Sequence, residues 1–127
     1  MVIPDYQAVM LPLLKYAGDC KEHHIRDAVE ELAEEFKLSE EEREELLPSG
    51  QQSIFKNRAG WANTYLKKAG LLDSGRKGYF SITRRGLDIL RENPLYIDVN
   101  FLKRYNEFNE FYNKDKQVLI DKPDVQK

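Results

Sequence analysis

Apolar residues recur at helical spacing through the centre of the chain, residues 51–70. Five of them stand four, three, four and three positions apart: Phe55, Ala59, Ala62, Leu66 and Ala69. This pattern predicts a helix with one buried face. We expect the helix to begin near Gly50, because Ser49 and Gln52 have the spacing of a capping box, and to end at Gly70.

The stretch that follows, residues 71–83, has the pattern of a β-hairpin. Two short apolar segments flank a turn bounded by Gly75 and Gly78, with Arg76 and Lys77 at its tip. A long helix followed by a basic hairpin is the layout of a winged helix-turn-helix. The sequence therefore predicts a mainly α fold with a two-stranded β wing.

Apolar spacing also predicts three helices before the central one and one after it. The first ends at Gly18, and Pro12 inside its pattern predicts a kink or a late start. The second covers residues 23–36 and has an acidic outer face. The third runs from Ser39, whose capping partner is Glu42, to residue 47. After the hairpin, residues 83–90 predict a capped helix in which Leu87 and Leu90 pack on the wing.

An additional C-terminal helix is predicted over residues 95–113, after a winged-helix domain of residues 1–94. Its apolar stripe has four members: Phe101, Tyr105, Phe108 and Tyr112. So much aromatic surface must be covered, either by the first helix of the same chain or by a second copy or another domain. Residues 114–127 are polar, and we expect them to be frayed.

Charge is divided between two segments of the chain. The 127 residues have a net charge of −2, which taken alone argues against a nucleic-acid partner. However, residues 19–47 carry a net −8 and residues 48–91 a net +7. Attraction to phosphates depends on local potential within about a Debye length, roughly 8–10 Å, so the basic segment can bind DNA while the acidic one faces elsewhere.

The polar face of the central helix, with the turns on either side, supplies the residue types that bind DNA. Amides and hydroxyls hydrogen-bond base edges, cations bind phosphates, and Gly60 allows close backbone approach. The candidate DNA-binding residues are Gln51, Gln52, Ser53, Lys56, Asn57, Arg58, Asn63, Thr64, Lys67, Lys68, Arg76 and Lys77. The alternative is a solvated amphipathic helix whose cations only keep the surface soluble. For Trp61, packing is favoured over a role as a base-stacking wedge.

Other reactive side chains do not form a catalytic or metal-binding pattern. Cys20 follows Asp19, whose charge disfavours a thiolate, so a free and partly buried thiol is expected. His23 and His24 have no second ligand cluster and suit a surface or helix-capping pair. We expect no cofactor. The single cysteine and the lack of an apolar N-terminal run favour the cytoplasm and no membrane contact.

Particular residues give the chain a resemblance to a known family. They begin with Leu46-Leu47-Pro48-Ser49-Gly50-Gln51-Gln52 and continue through Phe55, Asn57-Arg58, Gly60-Trp61-Ala62 and Tyr65-Leu66-Lys67-Lys68-Ala69-Gly70-Leu71-Leu72. They end with Ile82-Thr83, Gly86, Leu90, Ile97-Asp98 and Phe101-Leu102. This pattern, over residues 4–112, resembles the N-terminal domain of Mrr-type restriction endonucleases. The Thr-x-x-Gly-x-x-x-Leu element alone is shared with many winged-helix regulators.

The resemblance implies a DNA-binding module that directs a nuclease domain or subunit to modified duplex DNA. The nuclease of that family needs an Asp and a Glu or Gln-x-Lys on adjacent strands to hold a divalent metal. Asp5 with Asp19-Cys20-Lys21, and also Glu35-Phe36-Lys37, imitate this pattern only at helices or helix ends. We therefore expect no nuclease activity in this chain.

A different class of function remains open at this point. A protein-interaction winged helix or a transcriptional regulator would act through the acidic segment and the aromatic C-terminal helix, and its basic face would be incidental. A salt titration of DNA binding separates the two classes, because neutralised phosphates release counterions.

Overall fold

A computed structural model of the chain describes residues 3–115. In chain order its helices are α1 Tyr6–Tyr16, α2 Ile25–Glu35, α3 Glu40–Glu44, α4 Ile54–Lys68, α5 Arg84–Arg91, α6 Val99–Leu102 and α7 Asn106–Asp115, and a 3-10 turn covers Ala17–Asp19. The strands are β1 His23–His24, β2 Leu72–Asp73 and β3 Tyr79–Ile82. No helix in the described part of the chain is long and apolar enough to cross a membrane.

The three strands form one antiparallel sheet in the order β1-β3-β2. Leu72 of β2 lies opposite Ile82 of β3, which confirms the predicted hairpin. The strand β1 was not predicted, since two residues are too few for a periodic pattern; His23 lies opposite Phe80. A mainly α architecture with this small sheet agrees with the predicted winged-helix fold class.

Side chains at the helix N-termini accept hydrogen bonds from backbone amides that would otherwise be unpaired. These N-cap residues are Asp5, His24, Ser39, Ser53, Thr83 and Asp98. The predicted capping box at Ser39 is confirmed, because the Glu42 side chain also accepts a hydrogen bond from the Ser39 amide. Short polar side chains thus fix where each of these helices begins.

The start of α4 and the end of α3 both differ from the prediction. The helix begins at Ile54 and is capped by Ser53, so a start near Gly50 is wrong. Helix α3 ends at Glu44, short of residue 47. The reason is an antiparallel bridge between Leu46 and Ser53, which requires extended backbone on both sides of the intervening turn.

The core is built mainly by packing α1 along α4. The five predicted apolar positions of the central helix are all buried, so this prediction is confirmed. On α1 the buried residues include Val9, Met10, Leu13 and Leu14, which are fully inaccessible to solvent. Pro12 lies inside the helix, which continues from Tyr6 to Tyr16, so there is no late start.

The predicted C-terminal helix is divided into α6 and α7. Phe108 is fully buried, and its ring centroid lies 5.6 Å from that of Tyr65 on α4. Tyr112 also contacts the Tyr65 ring. The same chain therefore covers part of the aromatic stripe, and Tyr65 of α4 contacts two of its four members. Of the tail predicted to be frayed, residues 114 and 115 still belong to α7, and residues 116–127 lie outside the described part.

One hydroxyl joins the end of α4 to the start of α5. Thr83 Oγ1 donates to the carbonyl of Gly70 at 2.6 Å and accepts from the amide of Gly86 at 3.0 Å. A side chain at Gly86 would collide with the backbone carbonyl of Leu71. This junction explains the Thr-x-x-Gly element and fixes the β2–β3 hairpin beside α4. Of the α5 residues, Ile89 is buried and Leu90 packs on the core.

Candidate nucleic-acid interface

Helix α4 presents a polar face opposite its buried stripe. At 3.6 residues per turn, six residues lie on this side of the helix: Ser53, Lys56, Asn57, Gly60, Thr64 and Lys67. Lys56 is exposed and the others are partly exposed. We call these six residues the α4 polar face. Most of the predicted contacts on the helix therefore share one surface.

Two lysines occupy the C-terminal half of α4. Partial burial lowers the pKa of Lys67, and the nearby carboxylate of Asp73 partly offsets this effect. Lys68 is exposed, and its Nζ lies 5.2 Å from the centroid of the Phe111 ring. With Thr64 and the start of the hairpin, these lysines line a shallow depression of about 260 Å³. This depression places cations between α4 and β2.

The tip of the hairpin carries the other two predicted cations. Arg76 donates to Glu22 at 3.0 Å, and its guanidinium lies 3.9 Å from the centroid of the Tyr79 ring. The hydrogen bond from Arg76 to Glu22 raises the pKa of the guanidinium further. Lys77 is exposed. The hairpin is thus basic at its tip, but one of its two cations, Arg76, forms an ion pair with Glu22.

A groove of about 830 Å³ opens at the N-terminal end of α4. Its apolar wall includes Phe55 and Ala33, and the exposed amides of Gln51 and Gln52 lie at its rim. Gln52 Oε1 accepts a hydrogen bond from Asn57 Nδ2 at 3.4 Å. Gln51 and Gln52 therefore lie in the turn before the helix, and Gln52 contacts the α4 polar face through Asn57.

Two of the predicted contacts point away from this surface. Arg58 Nη1 donates to the carbonyl of Ile3 at 3.0 Å and reaches that of Pro4 at 3.4 Å. Asn63 is only 7% exposed. Arg58 is thus held by the N-terminal segment, and the Asn63 side chain is covered by protein. We therefore exclude Arg58 and Asn63 from the candidate interface.

The remaining sequence predictions have mixed outcomes. Trp61 is half-buried and packs on the core, with its ring centroid 6.0 Å from that of Tyr65 one turn along the same helix, while packing on a neighbouring helix stays a prediction. Cys20 is a free thiol, but it is exposed and not partly buried. His24 caps α2, while His23 Nε2 bonds to Asp19 at 2.9 Å, which together confirm a capping and surface pair.

Acidic residues lie closer to the basic surface than their separation in sequence suggested. Glu22 reaches the hairpin tip, and Glu30 and Glu44 line the groove beside Lys56. Sequence reasoning missed Glu22 and Tyr79, the two partners of Arg76. The alternation of a basic tip with an aromatic residue two to three positions later was the available signal for Tyr79, whereas nothing local indicated Glu22.

Comparison with known proteins identifies the family. The pattern of the Mrr N-terminal domain matches residues 6–92. The chain is 36% identical over 95 residues to the type IV methyl-directed restriction enzyme EcoKMrr of Escherichia coli strain K12. That match covers 74% of this chain and 31% of the relative, so the chain spans about a third of the relative's length. No solved structure matches. The chain therefore belongs to the Mrr N-terminal domain family.

Proposed function

We propose that this chain is the DNA-recognition module of a restriction-system protein and binds duplex DNA through α4 and the β2–β3 hairpin. The observation that carries the proposal is the α4 polar face, which combines small, amide and cationic residues beside a basic hairpin tip. A helix with such a face fits the major groove, and a hairpin beside it can reach the adjacent backbone or minor groove.

Within this proposal, cations and uncharged polar residues have different tasks. Lys56, Lys67 and Lys68 bind phosphates along the groove, and Arg76 and Lys77 extend these contacts from the hairpin. Phosphate contacts set position and most of the affinity, and they make binding dependent on salt. They carry no direct information on sequence.

Base edges are read by the uncharged residues at the start and middle of α4. Gln51, Gln52 and Asn57 carry amides, which form paired hydrogen bonds with adenine. Thr64 presents a hydroxyl and a methyl group near the centre of the face. Because the relative is described as methyl-directed, we propose that the duplex bound here contains methylated bases.

We also propose that this chain has no nuclease activity of its own. Each acidic residue that imitates the nuclease pattern has another role or position: Asp5 caps α1, Asp19 bonds to His23, and Glu35 ends α2. Among residues 3–115 no group of three or more metal-binding side chains converges. The free thiol of Cys20 is consistent with action in the reducing cytoplasm.

A salt titration of duplex binding tests this function. We would follow fluorescence anisotropy of a labelled duplex of more than two helical turns, prepared unmodified and with 5-methylcytosine or N6-methyladenine. The wild-type chain should bind with a steep salt dependence. The double variant K56A/K67A should bind less tightly, and its slope of log K against log salt should be shallower by about 1.8, since two fewer phosphates are neutralised.

The matched control is K15A/K114A, which removes the same charge at exposed positions on α1 and α7. Because electrostatic attraction decays within about a Debye length, we expect this control to retain nearly the wild-type slope. If the wild-type chain binds none of the duplexes, or if both double variants behave alike, the proposed interface is wrong.

A further inference from the structure

Gly60 lies in the middle of α4, where a glycine is unfavourable for the fold. Glycine forms helices less readily than every other residue except proline. Apart from its two neighbours in sequence and the backbone of the same helix, no heavy atom lies within 4 Å of the place where a Cβ would stand at Gly60. Its backbone is ordinary helix within Ile54–Lys68, a conformation that any L residue adopts. Neither crowding nor backbone geometry explains this glycine.

Other glycines of the chain have a reason within the fold. Gly70 and Gly78 have positive φ values of 80° and 83°, in a region that side chains disfavour. At Gly86 a side chain would collide with the Leu71 carbonyl. Gly60 differs from these three, because no contact or backbone angle within residues 3–115 requires a glycine there.

The surroundings of Gly60 indicate which kind of binding partner would need a glycine at this position. It lies near the centre of the α4 polar face, beside Thr64, and at 3.6 residues per turn both are within about 40° of each other around the helix. Lys56 and Lys67 flank this small centre on one side. The α4 polar face therefore has small side chains at its centre and cations at its edge. Such a surface suits an anionic partner that contacts the helix backbone closely.

We propose that Gly60 is the position of closest approach between α4 and the floor of the DNA major groove. The groove is about 12 Å wide and a helix with its side chains measures about 10–12 Å, so the fit is tight. A missing side chain at the centre lets the base edges reach the helix backbone and brings Thr64 and Asn57 within hydrogen-bonding range. This inference rests on the proposed function and adds a specificity-determining residue to it.

The proposal predicts that stability and DNA binding change in opposite directions. The variant G60A should raise Tm by about 3–6 °C, because alanine favours the helix and has open space around it. Its affinity for the labelled duplex should fall about 5-fold or more, as expected when one methyl group is forced into a tightly packed contact. G60L should bind more weakly than G60A while remaining folded.

The matched controls are N113A and N113L, at an exposed position on α7 away from the α4 polar face. They place the same two residues on an exposed helix surface and should leave DNA affinity unchanged. If wild type binds, K56A/K67A weakens binding, and G60A and G60L bind as wild type does, then the inference is wrong although the function stands. Loss of Tm together with affinity in G60A would show a structural role and also overturn it. If wild type binds no duplex, both proposals fail.

Discussion

The Glu22 carboxylate accepts a hydrogen bond from the Arg76 guanidinium at 3.0 Å, across 54 residues of sequence. This pair joins the acidic segment to the tip of the basic hairpin. The second Glu22 oxygen also lies near Gly75, at 3.4 Å from where its Cβ would stand. A DNA phosphate that binds Arg76 must therefore compete with Glu22.

We predict that E22Q increases the affinity for duplex DNA. Both partners are largely exposed, at 63% for Arg76 and 42% for Glu22, so their interaction is weak. Because an exposed pair is weak and screened by salt, we expect an increase of at most about 5-fold in affinity at low salt. Anisotropy with the labelled duplex measures this change.

The matched control for this prediction is E31Q, which removes the same charge from the exposed outer face of α2. Equal gains in E22Q and E31Q would mean that general charge, and not release of Arg76, determines the affinity. A larger gain in E22Q would support direct competition between Glu22 and phosphate.

Loss of the Thr83 hydroxyl should destabilise the whole domain. T83V removes the cap of α5 and leaves the Gly70 carbonyl without the hydrogen bond observed at 2.6 Å. We expect a decrease of about 2–3 kcal/mol in the free energy of unfolding, measured in urea. T83S keeps the hydroxyl and should lose much less. Because T83V keeps the methyl group and T83S keeps the hydroxyl, equal losses in the two variants would contradict a dominant role of the hydroxyl.

Truncation of Phe108 should show that α7 is part of the folded domain. The Phe108 ring is fully buried and packs against Tyr65 of α4. F108A should therefore reduce the free energy of unfolding by about 3–5 kcal/mol. The exposed Tyr96, at 64%, provides the control, because Y96A removes a ring without creating a cavity. An F108A variant as stable as wild type would instead leave α7 free to pair modules, which sedimentation velocity would detect.

Stability should decrease in alkaline solution through the ionisation of Tyr6. Burial raises its pKa to about 12 from the usual value of 10.0. Between these two values the unfolded chain loses a proton that the folded chain keeps, so the stabilisation present below about pH 10 is lost as pH rises to about 12. The loss amounts to about 2–3 kcal/mol.

The control for this pH dependence is Y6F. It keeps the edge-on contact with Tyr65, whose ring centroid lies 5.3 Å away, but has no ionisable hydroxyl. Urea titrations at several pH values should show a shallower alkaline decline for Y6F than for wild type. Parallel declines would assign the pH dependence to other groups.

Local patterns were sufficient where the physical cause is local. The spacing of Phe55, Ala59, Ala62 and Leu66 predicted the buried face of α4, since helical periodicity alone places these side chains together. The hairpin followed in the same way from its flanking glycines. Ser39 and Glu42 predicted a helix start correctly because a capping box involves only neighbouring residues.

The same local rules failed where two nearby solutions competed. Ser49 and Ser53 both suit an N-cap, and the bridge between Leu46 and Ser53 selected the second. Asn63 and Arg58 have the residue types of DNA contacts, but Asn63 is buried and Arg58 donates to the N-terminal segment. At the edge of an amphipathic helix face, the residue type alone does not determine whether a side chain points to solvent or into the protein.

Residue patterns alone were enough to predict a mainly α fold with a β-hairpin, several helix caps and the concentration of cations on one segment, because periodicity, capping and charge act over a few residues. The folded arrangement was needed to learn that Phe108 of α7 packs on Tyr65, that Glu22 accepts a hydrogen bond from Arg76 and that Gly60 has open space around it. These relationships join residues tens of positions apart or depend on what the rest of the chain leaves uncovered. They are set by how the helices pack, which no local pattern specifies.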